Sequence, residues 1–331
     1  MRIVVLGATG NVGTSLLDAL AGESRAESVL GVARRLPGLR PPKVEWARAD
    51  IASSDLARLF RGADAVVHLA WLIQPSRDQE QLRRVNVEGS SRVFRAVAEA
   101  GVPALVYASS VGAYSPGPKD RRVDESWPVA GIRTSFYSRH KAEVEALLDR
   151  FEEERPDVRV VRLRPGLIFK GEAASGIRRL FAGPLLPSPL VRRDLIRFLP
   201  DLPRLRFQAV HSLDAGEAYR LAVVGDARGA FNLAAEPVLD PPRLARLLDA
   251  RLVAMSPRTA RAAAAVTWRL RLQPTPPGWL DLALGVPLLD SARARRELGW
   301  EPRRTAEEAL LELLAGIRDG AGMDTPPLAP G

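Results

Sequence analysis

Short apolar runs alternate with amphipathic stretches through the first half of this chain. A strand is predicted over residues 2–6, where the continuous apolar run Ile3 to Leu6 is that expected of a strand buried on both faces of a parallel sheet. Residues 11–21 then follow the 3.6-residue period of a helix. Further strands are predicted at 28–33, 44–48, 65–69, 104–108 and 158–163. A short helix is predicted at 55–60 and a long one at about 79–100. Residues 116–128 read as loop, rich in Gly, Pro and charge, and Ser135 caps a helix reaching about residue 154. This order predicts an α/β fold of Rossmann type, a doubly wound parallel sheet with helices on both faces.

The pattern degrades beyond residue 170. Prolines crowd residues 171–206 around Leu180, Phe181, Leu185, Leu186, Leu190 and Phe198, which reads as a substrate lobe and a poor place for sheet. A strand near 207–210, a helix near 212–223 and a strand near 230–233 resume the order. Helical patterns fill 241–251, 257–272 and 304–318. The expected division is a dinucleotide-binding domain over 1–170, to which 207–235 returns. A smaller C-terminal substrate lobe takes 171–206 and 236–320, and a Gly/Pro-rich tail over 321–331 is expected to fray.

Composition narrows the chemistry. There are no cysteines among the 331 residues, which removes disulfides and thiolate-bound metals. His68, His140 and His211 stand apart without metal-ligand spacing, so no metal is expected; His140 reads as a helix-surface or supporting residue. The net charge of +9 invites a nucleic-acid reading, but arginines are interspersed with acids and lack interleaved aromatics. No apolar run is long enough to span a bilayer, and the run after Arg2 is too short for a signal peptide. The expectation is a cytoplasmic protein without nucleic-acid or membrane partners.

Glycines 7, 10 and 13 lie between the first strand and first helix, in the run Gly7-Ala8-Thr9-Gly10-Asn11-Val12-Gly13. A tight glycine turn lets backbone N–H groups approach a pyrophosphate at the positive end of a helix. The second strand ends in Arg34-Arg35 with no acid, which favours the 2′-phosphate of NADP over NAD, though NAD remains open. Asp50, ending the third strand beside Ile51, would accept from an adenine amino group or cap the helix that follows. Tyr137 and Lys141 are one helical turn apart in a chain with four Tyr and four Lys. A nearby ammonium would lower the tyrosine pKa and fit Tyr137 for general acid–base work, with Lys141 also reaching ribose hydroxyls. Ser110, just past the fifth strand, would hydrogen-bond the same substrate oxygen.

The chain resembles the extended short-chain dehydrogenase/reductases of the NAD(P)-dependent epimerase/dehydratase family. The matching runs are GATGNVG at 7–13, ADI at 49–51, HLA at 68–70, VNVEGS at 85–90, YASSVGAY at 107–114, YSRHK at 137–141, RLRPGLIFKG at 162–171, AVHSLDAGEA at 209–218 and LGWEP at 298–302. The resemblance implies a cofactor site that also includes Leu69, Ala70, Pro165, Gly166, Leu167 and Ile168, and a structural or relay role for Asn86. It implies Ser110 as the catalytic serine, since Tyr114 follows it by four. It also implies a homodimer through the 79–100 and 135–154 helices, the latter offering Val144, Leu147, Leu148 and Phe151. Ser109-Ser110-Val111 stands where dehydratases of the family carry an acid, which argues against dehydration. Phe207 stands where sugar-nucleotide enzymes often carry an arginine. The substrate is thus expected to be a sugar nucleotide or a less polar carbonyl compound, handled by an oxidoreductase or epimerase. The rival reading is a nucleotide-sensing regulator that binds NAD(P) without catalysis.

Overall fold

The computed structural model describes residues 1–73, 77–181 and 196–329. The first half follows the expected order: β1 (Arg2–Leu6), α1 (Asn11–Ala21), β2 (Ser28–Ala33), β3 (Val44–Arg48), α2 (Leu56–Phe60), β4 (Ala65–His68), α3 (Gln79–Arg83), α4 (Gly89–Glu99), β5 (Ala104–Ala108), β6 (Arg122–Val123), α5 (Phe136–Glu154) and β7 (Arg159–Pro165). Then come β8 (Leu167–Phe169), α6 (Ala174–Phe181), β9 (Phe198–Asp201), β10 (Phe207–His211), α7 (Ser212–Val224), β11 (Gly229–Leu233), β12 (Ala235–Leu239) and α8 (Pro241–Leu248). The chain ends through β13 (Arg251–Ala254), α9 (Pro257–Arg269), α10 (Gly278–Gly285), β14 (Leu288–Leu289) and α11 (Ala306–Asp319).

Seven strands make one sheet in the order β3-β2-β1-β4-β5-β7-β11, every pair parallel. This is the doubly wound α/β fold that the alternation predicted. Strand alternation sends Ile3 and Val5 into the core under α1 and α7, and Val4 and Leu6 into the core under α2, α4 and α5. α7 lies directly on α1, where a Cβ on Gly216 would sit 2.6 Å from the Ser15 backbone. The predicted return to the sheet after residue 206 is made by β11. β10 instead joins a separate sheet, β12-β10-β8.

Several expectations need correction. The long helix is broken by a π-helical turn, Arg84–Glu88, where Asn86 turns inward to hold the Leu72 backbone. The 116–128 loop contributes β6, paired with β14. Sheet also occurs in the proline-rich stretch, as β9 pairs with β13. Of the apolar residues named there, Leu185, Leu186 and Leu190 lie outside the described residues. His140 is buried edge-on to Phe136, not on the helix surface. The described part of the tail packs against the chain: Thr325 and Leu328 are buried, and Arg179 Nη2 donates to Pro327 O at 2.6 Å. Val144, Leu148 and Phe151 are spent on the chain's own sheet, so the apolar stripe of α5 is not a free face. No described helix is long and apolar enough to cross a membrane.

Candidate active site

The loop after β1 is shaped by the absence of side chains. Gly7 adopts φ +80°, and a Cβ there would lie 2.8 Å from the Ala70 nitrogen. A Cβ on Gly13 would lie 2.4 Å from Gly7 O. Gly10 caps α1 without a side-chain acceptor, so no side chain claims the N–H groups at the positive end of the helix. Asn11 Nδ2 donates to Ile168 O at 3.2 Å, tying this loop to β8, while Asn11 Oδ1 is buried without a partner among the described residues. Gly7, Asn11, Leu69, Ala70 and Ile168 therefore converge at one edge of the sheet. A bare glycine cradle over a free helix N-terminus fits a dinucleotide diphosphate.

The outer residues are more dispersed. Arg34 and Arg35 are exposed just past β2 and make no ion pair among the described residues. Asp50 Oδ1 accepts from Ala52 N at 2.9 Å, while the α2 cap is Asp55; Asp50 thus closes a turn and is not the helix cap. The Ile51 side chain is buried against Gly89. Asn86 is fully buried, with its Oδ1 accepting from Leu72 N (2.7 Å) and its Nδ2 donating to Leu72 O (3.1 Å). That pairing fixes the strand-to-loop segment carrying Leu69, Ala70 and Trp71. A Cβ on Gly166 would lie 2.5 Å from Gln208 O, and Leu167 is partly exposed at the edge.

Ser135 caps α5 by accepting from Ser138 N, which starts the helix one residue before Tyr137. Ser110 lies at the same turn, its Oγ accepting from Gly112 N at 2.9 Å, and its hydroxyl acts on the Tyr137 phenol. Gly112 is obligatory there, since a Cβ would meet the Tyr137 ring at 2.8 Å. Lys141 departs from expectation. Its Nζ donates to Ala108 O at 2.6 Å and lies 3.6 Å from the Trp71 ring centroid, not against Tyr137. The anticipated lowering of the tyrosine pKa is accordingly reversed: burial raises it, and the neighbouring Ser110 hydroxyl only partly offsets this. Burial likewise pulls the Lys141 ammonium down to about 7, against the opposing pull of Glu145.

Glu145, one turn beyond Lys141, anchors a buried network that the sequence reading missed. Its Oε1 accepts from Ser109 Oγ (2.5 Å) and Arg164 Nε (2.8 Å), and its Oε2 accepts from Arg162 Nη1 and Arg164 Nη2 (both 2.9 Å). Burial pushes this carboxyl up, but Arg164, Arg162 and Ser109 outweigh it and hold it at about 2. Ser109 is thereby fixed beside Ser110. The four-residue spacing from Lys141 was the one available signal. His68 is buried with Nε2 2.9 Å from Ser90 Oγ; burial, then Lys141, pull it to about 3, so it is neutral.

Residues 3–172 match the profile of the NAD dependent epimerase/dehydratase family. The chain belongs to that family. Among curated relatives, an uncharacterized protein of Mycobacterium tuberculosis is 27% identical over 326 residues, covering 98% of this chain. The chain spans 31% of that relative's length. A putative dihydroflavonol 4-reductase of Synechocystis is 30% identical over 152 residues, 43% of each sequence. Among solved structures, the UDP-glucose 4-epimerase of Thermus thermophilus, in complex with NAD, superposes with a TM-score of 0.70. It is 22% identical and covers 96% of this chain and 99% of that one. This likeness shows a shared fold.

Proposed function

We propose that this chain is an NAD(P)-dependent oxidoreductase or epimerase that moves a hydride between nicotinamide and a carbonyl or alcohol carbon. What supports this is the run Ala70-Trp71: Ala70 packs on the Gly7 turn, while the Trp71 ring lies 6.0 Å from the Tyr137 ring and 3.6 Å from Lys141 Nζ.

The free N–H groups of α1 would hold the diphosphate, with Thr9, Asn11 and Val12 lining the turn. Arg34 and Arg35 would take the 2′-phosphate of NADP, and Asp50 and Ile51 the adenine edge. Leu69, Ala70 and Pro165 to Ile168 would enclose the nicotinamide half, and Lys141 would reach its ribose. The bound cofactor supplies or accepts the hydride.

A phenol held above its ordinary value keeps its proton at neutral pH, so Tyr137 starts as a general acid. In the reducing direction the carbonyl carbon gains a hydride, the π pair moves to oxygen, and Tyr137 gives that oxygen its proton. Ser110 steadies the charge developing on the same oxygen. The resulting tyrosinate regains a proton from solvent.

Tyr137→Phe keeps the ring and removes the proton. Turnover of a carbonyl panel, followed by nicotinamide absorbance, should fall by about 10² or more while NADPH affinity is unchanged. Wild-type turnover in this variant would defeat the mechanism.

A further inference from the structure

Tyr137 faces aromatic walls. Its ring lies 5.2 Å from Trp279 at an interplanar angle of 31°, and 6.0 Å from Trp71 at 76°. The two tryptophans come from distant stretches of chain, Trp71 from the loop after β4 and Trp279 from α10.

Both walls are held firmly. A Cβ on Gly278 would lie 2.3 Å from Thr134 O, and one on Gly285 2.9 Å from Ile132 Cδ1. α10 is thus pressed onto the entry to α5 at both of its ends, which fixes Trp279 over Tyr137. Phe136 supports Trp279 edge-on at 6.3 Å and 82°. Trp71 sits under the Lys141 ammonium, next to the Leu72 backbone clamped by Asn86.

Among the described residues, Lys119, Arg204, Arg206 and Arg261 on the lobe side are committed to partners within the chain. Lys119 Nζ donates to Arg206 O (2.7 Å) and Ala283 O (2.9 Å). Arg206 Nη1 donates to Lys119 O, and Arg204 binds Leu284 O and Gly117 O. Arg261 pairs with Asp281 at 2.9 Å. Freeing them would leave backbone carbonyls, part-buried for those of Lys119 and Arg206, or the Asp281 carboxylate without a donor. Ring faces offer stacking and dispersion to a flat apolar body and little to a polyhydroxylated sugar.

We propose that this site takes a substrate whose reacting oxygen is carried on a flat, apolar ring system seated between Trp71 and Trp279, and that it does not take a sugar nucleotide. The proposal rests on Tyr137 being the proton donor. The rings orient the substrate, and its single oxygen reaches Tyr137 and Ser110.

Calorimetric titration of 1-tetralone and of UDP-glucose into the NADP⁺-saturated protein tests it. The expected result is 1-tetralone binding at least about tenfold more tightly than UDP-glucose. Trp279→Ala should weaken 1-tetralone by about tenfold or more, Trp279→Phe should recover most of that loss, and neither should change NADPH affinity. Trp71→Ala repeats the test from the opposite wall and covers a Trp279→Ala protein that does not fold. Tighter or equal UDP-glucose binding, no binding of 1-tetralone, or unchanged 1-tetralone affinity in the alanine variants would each overturn the proposal. NADPH titration without a second ligand keeps the underlying reading separate: retained NADPH binding with no 1-tetralone binding removes the substrate class alone.

Discussion

Leu105 and Leu252 are both strand leucines, and the difference between them divides the molecule. Leu105, central in β5, is completely buried, whereas Leu252 in β13 is 37% exposed. The same contrast holds element by element. Strand β4 is buried along its whole length, while every residue of β13 is exposed and α9 buries none. Large exposed apolar side chains gather in the lobe at Phe198, Leu252, Val253, Val266, Leu270 and Leu272. The body is thus held by its own core. In the C-terminal part, α11 builds a smaller core with β8, β10 and β12 (Phe169, Ala209, Leu239, Leu313, Ile317), whereas β9, β13 and α9 stay thinly packed. Under the proposed function, a well-packed body that holds the cofactor beside a thinly packed region that meets the substrate is the arrangement expected where the chemistry is constant and the substrate varies.

Equal steric insults to the two regions should separate their roles. Gly13→Val and Gly278→Val each place side-chain atoms within 2.5 Å of a backbone oxygen, at 2.4 and 2.3 Å for the Cβ alone. In the body, opening the loop should cut NADPH affinity by about 10² or more. In the lobe, NADPH affinity should stay within about threefold, because α10 shifts away from α5 without touching the cradle. Fluorescence titration reads both, with circular dichroism confirming the fold. Loss of NADPH binding in Gly278→Val would break the division.

Stability should split in the same way. Leu105→Ala should cost about 2–5 kcal/mol through the cavity it leaves. Leu252→Ala should cost less than about 0.5 kcal/mol. Urea unfolding of both variants gives the comparison, and comparable losses would show the lobe to be as firmly packed as the body.

The body was legible because buried parallel strands leave continuous apolar runs and helix starts leave caps such as Ser135. Strands β1, β2, β3 and β5 fell where the pattern placed them. The lobe was not legible for the same physical reason that it is exposed. β9 and β13 carry no apolar alternation strong enough to mark them, and α10 follows a proline cluster that reads as loop. In the site, glycine spacing and the Tyr137–Lys141 interval could be read from sequence. The direction of the tyrosine shift could not, because it depends on where the Lys141 ammonium turns, toward Ala108 O. Trp71 and Trp279 gave no sign of flanking Tyr137, being brought to it from distant stretches of chain.

A smaller effect concerns Lys141. Its value in the folded protein, about 7, lies below the ordinary lysine value of 10.5, so the folded state holds fewer protons than the unfolded state between those limits. The cofactor-free protein should therefore gain stability as pH rises from 7 toward 10. Lys141→Met should raise the Tm by a few degrees (roughly 2–4 °C per kcal/mol) at pH 6, and the gain should shrink by pH 9.5. A gain independent of pH would mean that the ammonium carries no burial cost.

The central claim is that the body is a dinucleotide platform. Fluorescence titration of the purified chain with NADPH and NADH tests it most directly. The account predicts saturable binding of both, tighter for NADPH, with Arg34→Asp reversing the order. Absence of saturable binding of either would contradict it.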